Sequence, residues 1–106
     1  MDKETLIGCW TSEENFWVHV ESHKHEEGFE TPTKYGKSAY NSAKGNERGI
    51  KALKKPDGTI YLYNPNSKTI TMISSDGKII THFHRGIEYL EGQRTPGDVY
   101  IDYYDR

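Results

Sequence analysis

The chemistry available to this chain lies first in its histidines. There are five of them, in two clusters: His19, His23 and His25, then His82 and His84. An ordinary imidazole titrates near ~6.5, so two neighbouring rings can supply one neutral and one protonated form at neutral pH. Those are the two forms that a general base and a general acid need. His19 and His23 stand four residues apart, which puts both on one face of a helix. The same spacing also suits a metal site if a third ligand joins, with Glu26 and Glu27 as supporting carboxylates. No glutamate lies between the pair in the manner of a zinc-hydrolase helix. A structural role, an acid–base role and a metal-binding role all remain open from these residues alone.

Phosphate chemistry also needs cations, and the chain separates its charges by segment. Residues 13–30 hold six acidic residues and one lysine. Residues 33–55 hold Lys34, Lys37, Lys44, Arg48, Lys51, Lys54 and Lys55 against Glu47 alone. A net charge of -2 is therefore compatible with one cationic face. An ordinary solvated, lysine-rich helix and loop fits the pattern equally well. On the first reading, Lys34, Lys37, Arg48, Lys51, Lys54 and Lys55 form an approach surface for nucleic acid, with Tyr61 available to stack on a base.

The elements that must position these groups divide the chain in two. The helical half covers about residues 12–45. Thr11 or Ser12 caps the first helix, with Glu14 three residues after Thr11 as in a capping box, and Gly28 is a stop. Phe16, His19, Val20 and His23 share one face of it. Thr31 and Pro32 start a second helix, along which Tyr35, Ala39 and Ala43 line one side until Gly45. The other half, about residues 50–104, reads as a β-meander. Its runs are residues 50–55, Ile60-Tyr-Leu-Tyr63, Thr69-Ile-Thr-Met-Ile73, Lys78-Ile-Ile-Thr-His-Phe-His84 and residues 98–104. Pro56-Asp-Gly58, Asn64-Pro-Asn-Ser67 and Ser75-Asp-Gly77 supply turn chemistry between them, and residues 87–93 form one or two helical turns. The expected architecture is α+β, with two N-terminal helices packed on one face of a twisted antiparallel meander of four to five strands.

Composition bounds the rest. A chain of 106 residues is one domain, residues 1–106, with room for one modest core. Hydrophobic residues make up 33%, and no stretch approaches a membrane span of roughly 18 apolar residues. The first seven residues lack the apolar run of a secretory signal. Thirteen aromatic residues, eight of them tyrosine, argue against a disordered tail. Cys9 is the sole cysteine, which rules out an internal disulfide and a cysteine-based zinc site.

The order of these features resembles a known family. His19-x-x-x-His23, Glu26-Glu-Gly28 and Thr31-Pro-x-x-Tyr35-x-x-x-Ala39 are followed by Gly58-Thr-Ile-Tyr-Leu-Tyr-Asn-Pro65, Ser67-Lys-Thr-Ile70 and Asp76-Gly-Lys-Ile-Ile-Thr-His-Phe83. Over residues 15–93 this is similar to the C-terminal nuclease domains of bacterial polymorphic toxins, found in contact-dependent growth inhibition and related secretion systems. Those domains belong to the barnase/EndoU/colicin/RelE-like group of metal-independent ribonucleases. His23 matches the family's helix histidine and His19 the one a turn earlier. Thr81 and Phe83 match the Thr-x-Phe of the last meander strand, and His84 falls where lysine or arginine is usual. Ser22 stands where a lysine commonly precedes the key histidine, and Arg85 where that strand usually ends in proline.

The resemblance implies RNA cleavage, commonly of tRNA, without a cofactor. It also implies delivery within a larger secreted or surface-borne toxin, action in the cytoplasm of a target cell, and a cognate immunity protein that neutralises the domain. The catalytic candidates are His23 and His19 for proton transfer, with Thr81, Arg85 or His84 to meet charge on the phosphorane. Strand alternation puts Thr81, Phe83 and Arg85 on one face and His82 and His84 on the other. Thr81 and Arg85 are accordingly the first choice, with His84 in reserve. Two other functions remain on the same scaffold: a non-catalytic protein-binding module, and a histidine-rich metal-binding domain.

Overall fold

The computed structural model describes residues 1–104. In chain order it contains α1 (Lys3–Gly8), α2 (Glu13–His23), α3 (Pro32–Ala43), β1 (Lys51–Lys54), β2 (Ile60–Asn64), β3 (Thr69–Ile73), β4 (Ile79–His84), α4 (Ile87–Gly92) and β5 (Val99–Asp102). The strands form one antiparallel sheet in the order β4-β3-β2-β1-β5. The α+β class and the five strands agree with the sequence. No helix among the described residues is long and apolar enough to cross a membrane.

The helices depart from expectation in number and in placement. α1 has too few turns to show a period, yet Asp2 caps it by accepting from the Thr5 N–H at 2.8 Å. Its one buried residue, Leu6, lies against Gly36 of α3. A Cβ at Gly36 would stand 3.2 Å from Leu6 Cβ, so the missing side chain is what lets the two helices approach. α2 starts one residue later than a Thr11 cap requires. Ser12 accepts from the Asn15 N–H, and Thr11 instead accepts from the Asn15 side chain. The helix ends at His23, well short of Gly28, and the chain turns through residues 24–30. α3 starts as its sequence indicates, with Thr31 accepting from the Lys34 N–H and Pro32 in the first turn.

Helices cover both faces of the sheet, where the sequence pointed to one. On the first face Phe16, Val20, Phe29, Tyr35 and Ala39 pack with Ala52, Leu62, Ile73 and Ile79. On the second, Leu90 of α4 closes over Leu53 and Ile70, flanked by Tyr61, Tyr63 and Phe83. β1 therefore buries Ala52 and Leu53 in succession, one into each layer. Each fully buried aliphatic or aromatic side chain here contributes about 1.5–3 kcal/mol of transfer free energy.

One polar group sits deep in the first layer. The His82 ring is wholly buried, with Nδ1 2.7 Å from Thr71 Oγ1 and Nε2 2.8 Å from Ser38 Oγ. Burial pushes its pKa down to about 3, helped by repulsion from His84 and His23, so the ring is neutral in the folded protein. An unfolded chain protonates His82 below about 6.5, and the folded one resists until near 3. Folding stability should therefore fall with pH from about 6.5 downward, by roughly 1.4 kcal/mol per pH unit from this group. Denaturant unfolding of wild type and His82→Gln between pH 7 and 4 checks this. The variant starts less stable, but its pH slope in that window should be shallower by that amount.

Candidate active site at the edge of β4

β4 is an outer strand, and its unpaired side carries backbone groups that need partners. Four segments supply them. The backbone of residues 9–11 bonds Ile79, with Ile79 N–H donating to Cys9 O at 2.7 Å and Thr11 N–H donating to Ile79 O at 3.0 Å. Asn15 of α2 donates to Ile80 O at 2.9 Å, and the Tyr35 hydroxyl of α3 donates to His82 O at 2.5 Å. Finally, His84 N–H donates to the Glu26 carboxylate at 3.1 Å. Burial and the nearby Glu26 charge both raise the Tyr35 pKa, so the phenol keeps the proton it donates.

This docking sets the two imidazoles of α2 beside the strand. His19 and His23 lie with ring centroids 6.0 Å apart and planes 22° from parallel. His23 is also 6.1 Å from the ring of Tyr35 and 6.1 Å from that of Phe83. Their Nδ1 atoms are both engaged. His19 Nδ1 lies 2.9 Å from Asn15 O, which can only accept, so this nitrogen carries the proton. His23 Nδ1 lies 2.5 Å from Glu26 Oε2 and donates to that carboxylate oxygen. In each neutral ring Nε2 is then the basic nitrogen. One imidazole is oriented by a carboxylate and its neighbour by a peptide carbonyl. That is a pair of rings with fixed tautomers and unlike partners.

The sequence offers Glu26 as a metal-supporting carboxylate and as part of the Glu26-Glu-Gly28 motif; in the fold it orients His23 with one oxygen and caps β4 with the other. The i, i+3 spacing from His23 was the available signal, but α2 ends at His23 and the turn geometry beyond it was not legible. Among the described residues, no group of three or more His, Cys, Asp or Glu side chains is placed to hold a metal ion. His25 is exposed in the turn after α2.

The phosphorane candidates lie on both faces of β4 and just beyond its end. Thr81 lies on the Phe83 side of β4, opposite His82. Arg85 places its guanidinium over the Tyr89 ring at 5.0 Å, and Tyr89 in turn packs edge-on against Phe83 at 5.3 Å. Arg85 is therefore separated from His23 by two aromatic rings, Tyr89 and Phe83. His84 turns to the other side, stacked 4.4 Å over Phe29, with Nε2 donating to Glu27 O at 2.9 Å. It borders an open cleft of about 710 Å³ lined by Glu26, Glu27, Gly28, Phe29, Ser38, Ser67, Lys68 and His84. The cleft thus begins at Glu26, the residue that holds His23.

The cationic segment does not gather on one face. Lys34 and Lys37 are exposed on α3 beside Ser38 of the cleft, Lys34 within 3.6 Å of Glu30. Arg48 stacks over Tyr104 at 5.0 Å. Lys51 and Lys54 are three residues apart on a central strand, so they point to opposite faces, and Lys51 pairs with Asp102 at 2.8 Å. Lys55 is no surface cation: its ammonium bonds Gln93 O, Thr95 Oγ1 and Asp98 Oδ2, fastening the turn between α4 and β5. Tyr61 packs in the second layer beneath that ammonium. A single RNA-facing surface through residues 34–55 is thereby broken into separate patches, because the strand period alternates what the sequence lists in a row.

Lys55→Gln should lower Tm by removing the cation from Asp98, whereas Lys54→Gln, at an exposed position, should leave Tm nearly unchanged. Thermal unfolding of the two single variants distinguishes a structural lysine from a surface one.

The chain matches no protein-family model and no curated protein.

Proposed function

We propose that this chain is a metal-independent endoribonuclease domain of the bacterial toxin type, acting on RNA of the tRNA class. The observation that carries the reading is the imidazole pair, His19 and His23, with both Nδ1 atoms anchored and the carboxylate that holds His23, Glu26, at the margin of an open cleft. His23 Nε2 takes the proton from a ribose 2′-OH while Glu26 steadies the imidazolium that forms. The 2′-oxygen bonds to phosphorus, the bond from phosphorus to the 5′-oxygen breaks, and His19, which enters the reaction as the imidazolium, delivers its Nε2 proton to that leaving oxygen. The products are a 2′,3′-cyclic phosphate and a 5′-hydroxyl. Both proton transfers belong to side chains, so the reaction calls for no cofactor. Thr81, Arg85 and His84, all in or just after β4, are the candidates to meet charge on the phosphorane.

The same reading makes a cognate acidic immunity protein the partner, covering the cleft and the Lys34 and Lys37 side of α3. It also places the domain within a larger delivered toxin that acts in the cytoplasm of a target cell. A second reading, a non-catalytic protein-binding module, is favoured by β5. That outer strand exposes Val99, Tyr100 and Ile101.

Incubation with total RNA in EDTA separates the readings. Chelator-resistant cleavage leaving cyclic phosphate ends is expected, and absence of cleavage would favour the binding module. His23→Ala should cost about 10²–10⁴-fold in rate with the fold retained. Glu26→Gln should lower kcat more than it alters KM, since it removes the charge opposite His23 without touching substrate. Full activity in His23→Ala would move the acid–base pair elsewhere.

A further inference from the structure

The strained position in the β2–β3 turn points to a phosphate site. Seven described residues have a left-handed backbone with positive φ, and six of them are glycine. The exception is Lys68, at φ 57. The comparison with the neighbouring turns is direct. The turn before β2 closes with Gly58 at φ 93, and the turn before β4 closes with Gly77 at φ 87. The turn before β3 is one residue longer, with Lys68 N–H donating to Asn64 O at 2.8 Å, and it too ends on a positive φ, yet it carries a side chain where glycine is the unstrained residue. Non-glycine residues held in this region persist where something else over-determines them, and they cluster at functional sites.

The surroundings give the side chain a purpose. Lys68 lines the cleft that begins at Glu26, together with the Ser67 and Ser38 residues and the His84 ring. It is exposed and makes no ion pair among the described residues, unlike Lys34, Lys51 and Lys55. Its carbonyl accepts from Arg85 N–H at 3.2 Å, which ties the turn to the end of β4 and so to the strand beside His23. The ammonium is therefore on a fixed base at the rim of the cleft and is not spent on a protein partner.

Resting on the ribonuclease reading, we infer that Lys68 binds a backbone phosphate of the RNA next to the one that is cut, and so sets the register of the strand across His19 and His23. It is a positioning residue and takes no part in proton transfer. Neutralising one phosphate of a single strand changes the slope of log affinity against log salt by about 0.7, which is about fivefold in affinity at 0.1 M salt.

The test is Lys68→Gly, with Lys68→Arg as the conservative partner. Glycine removes both the cation and the strain, so the two readouts move in opposite senses. Tm should hold or rise, while KM for RNA rises about fivefold at 0.1 M salt with kcat largely kept, and its salt dependence becomes shallower by about 0.7. Lys68→Arg should restore KM. A Lys68→Gly variant with unchanged KM and unchanged salt slope overturns the inference, as does one that binds poorly only because its Tm has dropped. Binding of a 2′-O-methylated RNA, which cannot be cut, is measured in parallel. If wild type cuts no RNA the ribonuclease reading falls, and the binding of this uncleavable strand by wild type and Lys68→Gly still decides the fate of the Lys68 site.

Discussion

The exposed edge of β4 is the constraint from which the site follows. A strand edge leaves N–H and C=O groups that must be bonded or left to recruit another strand. Here the groups are closed from within the chain, by the backbone of residues 9–11, by Asn15, by Tyr35 and by Glu26. Each of these bonds also pins an element. Asn15 fixes the start of α2 against the strand, Tyr35 fixes the buried side of α3, and Glu26 fixes the turn that follows α2. The helix that carries His19 and His23 has its orientation set before any chemistry is considered.

Glu26 joins the structural and chemical roles in one carboxylate. Its two oxygens serve two elements, the peptide of His84 and the ring of His23. A shift of β4 relative to α2 would therefore be felt at the imidazole. The buried aromatic set around Tyr35, with Phe29 edge-on at 4.8 Å and Trp10 at 5.7 Å, makes such a shift costly. Neutral His82 adds to this by holding Thr71 of the sheet and Ser38 of α3 through its two nitrogens. One histidine cross-links the layers and two others remain available at the edge.

Charge is arranged with less economy. The chain places seven basic residues within residues 33–55, but the fold sends them to α3, to the loop after it, to both faces of β1 and into the Lys55–Asp98 pair. The cations that stand near the cleft come from two separate segments, Lys34 and Lys37 on α3 beside Ser38 and Lys68 in a turn, while Arg85 after β4 lies on the Phe83 side of that strand. Long-range electrostatic guidance of a polyanion depends on where charges sit in space, and an acidic net charge does not cancel a local basic rim.

Local signals in the sequence settled much of this protein. The Thr31-Pro32 start fixed α3, Gly58 and Gly77 fixed two turns, and the β-branched and aromatic runs fixed the strands with the α+β class. The i, i+4 spacing put His19 and His23 on one helical face. Each of these rests on backbone geometry within a few residues, which is why it was legible. Other features arise between segments far apart in the chain. α1 is visible only through the fit of Leu6 against Gly36, and α4 goes to the second face because Leu90 completes the cover over Leu53 and Ile70. Glu26 becomes the partner of His23 because α2 stops at that histidine and the chain folds back toward His84. Lys55 turns inward because Asp98, more than forty residues later, lies beside it. The sequence alone determined α2, α3 and the strands, and it put His19 and His23 on one helical face. The tertiary structure decided which of those side chains meet, because hydrogen bonds and ion pairs act over a few ångströms in space and leave no period in the chain.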